Sequence, residues 1–288
     1  MANAIEYAKK FVPIIDDIYK AGAITEGMDT ATKADFTGVN EVKVLKVSTT
    51  GLGDYSREDG YPKGDVTASW ETIKLEIERG KELSVDRMDD EETLGMVFGR
   101  VVGEFMREHV IPELDAYRFA KYAGTEGATS VAAALTKDTI IAAIDEAVRV
   151  MDENEVNTES RCLYVNSDLK PILNQALNRM WASDGSVNTV LKDYNGLPIV
   201  YVPKKRFYSA ITLNSGTENW GWEANGKAIN FMVLDRNALM QTKKFALPKI
   251  FTPDENQDKD AWKFQYRLYH DCYVYENKVK GVYVHTTV

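Results

Sequence analysis

The sequence predicts an α+β fold, and three observations carry that reading. One long amphipathic helix crosses the middle of the chain, two strand-like runs joined by a long polar connection precede it, and alternating helix and strand signals follow it. The helix is the clearest. Between Asp86 and Tyr122, Leu94, Phe98, Val101, Phe105, Val110, Leu114 and Tyr117 recur at steps of three to five, which keeps them near one helical face. Asp89, Asp90, Glu91 and Glu92 crowd its start, where carboxylates favour the positive end of the helix dipole, and Thr93 is a weaker capping residue. Gly124 supplies a stop, and Pro112 removes one backbone hydrogen bond and predicts a kink. At about 1.5 Å per residue, thirty residues span roughly 45 Å, longer than a compact domain of this size needs. The stretch reads as a spine.

Ahead of it, residues 1–38 hold a short amphipathic helix with Ile5, Ala8, Phe11 or Val12, Ile15 and Tyr19 on its apolar stripe, interrupted at Pro13 and ended by Gly22. GMDTATKADFTG then reads as an extended arm that gains little from its own chain and more from a neighbour. VNEVKVLKV and WETIKLEIERGKELSV read as strands: Ile73, Leu75 and Ile77 alternate with polar residues, and a phase shift at Leu45 and Val47 predicts a bulge or twist in the first. The 22 residues between them, STTGLGDYSREDGYPKGDVTAS, far exceed a normal hairpin closure of two to five. They are either a mobile surface loop or the end of a hairpin that projects onto an adjacent subunit by edge pairing.

Beyond the spine, GTEGATSVAAAL is a small-residue linker. Ile140, Ile141, Ile144, Ala147, Val148 and Met151 stripe a helix capped by Thr136 or Asp138. RCLYVN (161–166) is a short apolar strand, Ser167 caps another helix, and 197–202 is a further strand, so this region forms an α/β layer. AINFMVLDRNALM gives a buried strand and a short helix. The aromatic C-terminal run gives two strands with a hairpin turn at Glu276 to Gly281.

Composition narrows the function. The chain has 288 residues, 44% apolar and 27% charged, enough for a sizeable core. Its net charge of −9 opposes binding of nucleic acid through phosphate neutralisation, though not a surface that merely faces it. No run is apolar and long enough to span a bilayer, and Glu6, Asp16 and Asp17 rule out reading the start as a signal peptide. Cys162 and Cys272 stand alone, as buried free thiols of a reducing cytoplasm do.

Signatures of catalysis are missing. His109, His270 and His285 have no ligand-like companions, and His270 with Cys272 makes a poor metal pair. Asp89 to Glu92 are better read as helix-start charges than as an acid–base cluster. Gly51, Gly53 and Asp54 make no phosphate loop, and Ser56, Ser130 and Ser167 lack a nucleophile elbow. Trp262, Phe264, Tyr266, Tyr269, Tyr273 and Tyr275 fit sheet core better than base stacking. An enzyme is not expected, nor a cofactor, nor a metal.

The order of arm, long hairpin, ERGKELSVDRMDDEET, kinked spine, α/β region, INFMVLDRNALM and a closing KVKGVYVHTTV resembles the major capsid proteins of tailed bacteriophages, above all the short forms from phages and prophages of Gram-positive bacteria. The resemblance covers nearly the whole chain and is strongest at 76–93, 229–240 and 264–285. It implies an N-terminal arm (1–38), an extended hairpin loop (39–85), a peripheral domain with the spine (86–130) joined by 230–288, and an axial domain (131–229). It further implies self-assembly into hexamers and pentamers of an icosahedral head, with Tyr55, Arg57, Tyr61, Lys63, Trp70 and Arg79 at subunit interfaces. Double-stranded DNA would lie inside without sequence-specific contacts, and no membrane would be involved. Because only 38 residues precede the hairpin, a fused scaffold is not expected, and a separate scaffolding protein and a portal protein are the implied partners. Lys63 sits near the loop tip, but no asparagine and acid can be matched to it, so covalent cross-linking is not expected. An encapsulin-like bacterial compartment is the alternative, and an unrelated α/β enzyme a more remote one.

Overall fold

The computed structural model describes residues 22–28, 41–58, 60–61, 63–92, 97–176 and 192–288. The expected helix before Gly22, most of the arm, and Thr93 lie outside them.

Two sheets and the spine make the body. The six-stranded sheet has the order β4-β13-β10-β5-β7-β6, taking β4 as Thr129–Ala132, β5 as Arg161–Asn166, β6 as Asp193–Tyr194, β7 as Leu197–Val202, β10 as Ile229–Asp235 and β13 as Val282–Thr286. Every residue of β10 is buried, as a central strand covered on both faces must be. Alternation then sorts the side chains. Leu163, Val165, Phe231, Val233 and Tyr283 face Ile140, Ile144, Ala147 and Met151 of the helix Ile140–Glu153, while Tyr164, Met232, Leu234, Val282 and Val284 face Phe119, Tyr122 and Phe207. Each such buried side chain contributes about 1.5–3 kcal/mol.

The smaller sheet has the order β11-β12-β3, with β3 as Ile77–Asp86, β11 as Leu239–Phe251 and β12 as Ala261–Val274. Phe264, Tyr266 and Leu268 of β12 pack against Phe98, Val102, Met106, Ile111 and Leu114 of the spine. The spine therefore touches the small sheet along its middle and the large sheet at its end. It is a beam between them.

That beam is three pieces after its start: α1 (Arg87–Glu92), α2 (Val97–Phe105) and α3 (Ile111–Ala123), with a π turn at Met106–Val110 joining the last two. The expected kink is this wider turn. Pro112 has no hydrogen to give the carbonyl four residues back and its ring would press on it; a π turn just ahead accommodates both defects. Asp86 caps α1, accepting from the Met88 amide at 2.9 Å. Gly124 ends α3 as expected, its amide donating to Ala120 at 2.9 Å.

Several expectations are corrected. WETIKLEIERGKELSV is two strands, since Leu75 and Glu76 separate β2 (Val66–Lys74) from β3. β1 (Glu41–Thr49) pairs with β2 from Glu41↔Lys74 to Thr49↔Val66 with no register shift, so the predicted bulge is absent. Neither Thr136 nor Asp138 caps by side chain. Instead the Thr136 carbonyl accepts the Ile140 amide at 3.0 Å, and Thr139 Oγ1 accepts the Thr136 amide at 2.9 Å, the return half of a capping box. Asn166, not Ser167, caps the next turn by accepting from the Asp168 amide. Glu276–Gly281 is no hairpin turn: β12 and β13 lie in different sheets, and this stretch carries the chain between them. The segment 230–288 consequently divides, β10 and β13 joining the α/β sheet while β11 and β12 stay with the spine.

Candidate assembly surface

The β1–β2 hairpin presents unusual surface. A two-stranded ribbon has no core of its own, so its apolar residues need a partner to be buried. Leu52, Tyr61, Val66 and Trp70 are 107%, 87%, 71% and 64% exposed, and Tyr55 is 59% exposed. Between Thr49 and Val66 the chain is not a loose loop. Thr50 donates to Asp65, Ser56 bridges Gly60, and the Tyr55 and Tyr61 rings meet edge-on at 5.0 Å. Gly60 takes φ +81°, which a side chain disfavours. Arg57 and Lys63 are exposed on the same tip.

Of the six residues expected at interfaces, five thus gather on the hairpin and the sixth does not. Arg79 sits on β3. Its Nε and Nη2 grip Glu113 at 2.7 and 3.1 Å, and it donates to the Asn214 and Gly221 carbonyls, which fastens the small β8–β9 hairpin (Ile211–Leu213 with Trp222–Ala224) to the spine. Beside it lies a cleft of about 190 Å³ lined by Phe105, His109, Trp220 and Tyr266, with Lys81 Nζ 4.6 Å from the Trp220 ring centre.

The root of the β1–β2 hairpin is held by side chains. The β3–β12 ladder ends at Ile77↔His270. Past it, Asp271 Oδ2 accepts the Glu76 amide at 3.1 Å, Tyr269 donates to the Leu75 carbonyl at 2.8 Å, and the Tyr273 hydroxyl serves the Lys74 carbonyl or Asp271. Tyr117 of α3 donates to Asp271 Oδ1 at 2.8 Å. Burial, with Asp271 alongside, pushes the Tyr117 and Tyr273 phenols far above their ordinary range, so both remain donors.

A second buried carboxylate anchors the residues where the arm was expected. Asp115 accepts from the Ile24 and Thr25 amides at 3.2 Å, from Thr25 Oγ1 at 2.7 Å and from Arg206 at 3.1 Å, and Arg118 donates to Thr25 Oγ1. Met28 is 2% exposed in the core with Phe119 and Tyr164. The expectation that the arm from Gly27 gains little from its own chain is corrected at Met28. Neither Asp115 nor Asp271 was singled out from sequence. Each interrupts an apolar face, which is the only local signal a buried acid gives.

Burial raises the Cys162 thiol to about 11 and Cys272 to about 12, leaving both protonated and unreactive near neutrality. His270 packs edge-on against Tyr117, and His109 lies beside Phe105. Among the described residues, no group of three or more His, Cys, Asp or Glu is placed to hold a metal, and no helix is long and apolar enough to cross a membrane.

Neither family models nor curated proteins match this sequence. Solved structures do. One from Mycobacterium phage Che8 superposes with a TM-score of 0.66 at 14% identity, covering 92% of this chain and 90% of the other. The asymmetric unit of the bacteriophage PhiM1 mature capsid gives 0.63 at 11%, covering 93% and 87%. A virus-like particle from Pyrococcus furiosus gives 0.60 at 11%, covering 97% and 99%. At these identities the likeness is one of fold: the chain has a mixed helix-and-sheet fold shared with phage capsid structures.

Proposed function

We propose that the protein is a structural shell subunit, the major capsid protein of an icosahedral phage head, and not an enzyme. The observation that carries this reading is the hairpin. It sets Leu52, Tyr55, Tyr61, Val66 and Trp70 in solvent on a ribbon that cannot bury them, within a fold shared by a phage capsid. A neighbouring copy is the surface that supplies their burial, with Arg57 and Lys63 at the rim. Interfaces of obligate assemblies exceed roughly 2,000 Å², and long projecting elements reach that area while tolerating the angular differences between hexamers and pentamers. In this role the hairpin is the extended loop, the spine with β3, β11 and β12 is the peripheral domain, and the six-stranded sheet with its helices is the axial domain. A scaffolding protein, a portal and packaged double-stranded DNA are the partners such a head calls for, the acidic chain limiting adhesion to the DNA.

The test uses the ladder's own register. Because Thr49 pairs with Val66, residues 50–65 are replaceable by Asn-Gly, a two-residue turn that closes an antiparallel pair. The variant is expected to fold and to form no shells with the scaffold present, by negative-stain microscopy and light scattering. Normal shells would overturn the role of the hairpin. The match to the virus-like particle favours one second reading, an encapsulin-like compartment. Nuclease-protected DNA inside purified shells supports the head, and a protein cargo supports the compartment.

A further inference from the structure

The Lys74–Glu76 junction is where the projecting hairpin meets the body, and its bonding differs from that of the strands on either side. Along β3 the backbone is held by the β12 ladder as far as Ile77↔His270. β12 continues to Val274, paired there with β11. The groups that a ladder would have satisfied on the junction are met by side chains of β12 instead: Asp271 takes the Glu76 amide, Tyr269 gives to the Leu75 carbonyl, and Tyr273 reaches the Lys74 carbonyl. Leu75, 4% exposed, is sunk between the exposed Lys74 and Glu76, just ahead of β3, whose residues alternate between half-buried and exposed.

We propose that Asp271, with Tyr117, Tyr269 and Tyr273, is a latch that fixes the direction in which the hairpin leaves the body and couples that direction to the spine. Asp271 is 1% exposed and its two oxygens accept from Tyr117 and its own neighbour Cys272 on Oδ1 and from Glu76 on Oδ2, where the single Tyr273 hydroxyl hydrogen turns either to this oxygen or to the Lys74 carbonyl. A carboxylate bond is directional and stronger than a neutral one, so the junction has one preferred geometry. It is also discrete. A backbone ladder would have to be unzipped pair by pair, whereas Glu76 and the three hydroxyls can release together to water, turning the two-residue link into a hinge. Tyr117 stands on α3, just past the π turn and Pro112, so a shift of the spine is felt at the same carboxylate that holds the hairpin. The direction of the hairpin matters because, on the reading proposed above, it lies on a neighbour.

Hydrogen exchange on the unassembled chain tests the latch without any shell, so its outcome is separate from that of the capsid reading. In the wild type, the amide of Glu76 should exchange slowly. Asp271→Asn keeps the shape and loses the charge, and should speed exchange over residues 74–77 by about tenfold or more, the order expected for losing a bond to a charged group. Tyr117→Phe, distant in sequence, should speed the same amides by a smaller factor. Exchange in β10 should not change in either. Unchanged exchange at 74–77 in both variants would overturn the latch, as would equal acceleration in β10, which would mean general destabilisation. Should Asp271→Asn fail to fold, Tyr273→Phe and Tyr117→Phe, each lacking one hydroxyl, decide by the same criterion.

Discussion

Asp115 is fully buried, yet it stands in a helix whose neighbours Leu114, Ala116 and Phe119 are core. Its charge is tolerable because two amides, a hydroxyl and Arg206 surround it. Asp115→Ala leaves those donors without an acceptor and Arg206 without its counter-charge, and should cost about 3–5 kcal/mol in denaturant unfolding. Thr25→Ala should cost less, about 1–2 kcal/mol, because it removes one hydroxyl while the Ile24 and Thr25 amides and Arg206 still serve Asp115. His285 gives a pH-dependent counterpart. It is 2% exposed, stacked on Phe231 at 4.9 Å with the Asn230 amide nitrogen 3.1 Å from Nδ1, and burial lowers its pKa. The folded state therefore resists a proton that the unfolded chain accepts below about pH 6.5. Stability should be flat with respect to this group above that pH and fall as the pH drops below it, by at most about 1.4 kcal/mol per unit. His285→Gln should flatten that decline in urea unfolding between pH 7 and 5, and an unchanged slope would remove His285 as its cause. Neither acid network was legible in the sequence, since what makes a buried carboxylate acceptable is the donors that distant segments bring.

At the scale of elements, the strands with clean alternation or full burial were legible: the Leu197–Val202 and Arg161–Asn166 strands have their predicted places, whereas on the spine Phe98 and Leu114 are core as expected but Val102, Met106 and Ile111 complete the buried face, with Phe105 and Val110 at its edge and Val101 off it. What failed was partnership. Local pattern cannot tell that Ile73 and Ile77 belong to two strands with Leu75 in the gap between them, because the break at Leu75–Glu76 is enforced from β12. Nor can it tell that Glu276–Gly281 joins sheets rather than folding a hairpin. That crossing is close-packed: a Cβ on Gly281 would stand 2.7 Å from the Ala238 Cβ and 3.0 Å from the Asp235 Cβ, both of them buried and fixed by the β10–β11 turn. Gly281→Ala should destabilise by about 1–3 kcal/mol, read as a lower melting temperature. An unchanged one would mean that the turn can yield.

For the whole molecule, the separation between what is buried and what is presented is sharp. The spine is packed on both sheets, while the hairpin offers aromatic rings to solvent. Tyr55→Ser with Tyr61→Ser should therefore leave monomer stability within about 0.5 kcal/mol, as surface changes do, while abolishing or severely reducing shell formation by microscopy. Equal loss of both would place the pair in the fold rather than in assembly. The overall architecture was legible because hairpin, spine and α/β region follow one another in a recognisable order; the interlocking of the two sheets was not, because it depends on pairings between remote segments.

Those pairings also set a schedule. β3 and the spine leave the ribosome early, but their ladder partner is β12, whose register runs Ala261↔Asp86 to His270↔Ile77. At bacterial-to-eukaryotic synthesis rates the delay is on the order of ten to forty seconds. Until it ends, Phe98, Val102, Met106, Ile111 and Leu114 have no sheet to lie on, and the nascent chain is a client for chaperones. Asp271 arrives in the same late segment, so the hairpin is not aimed until the body beneath it has closed.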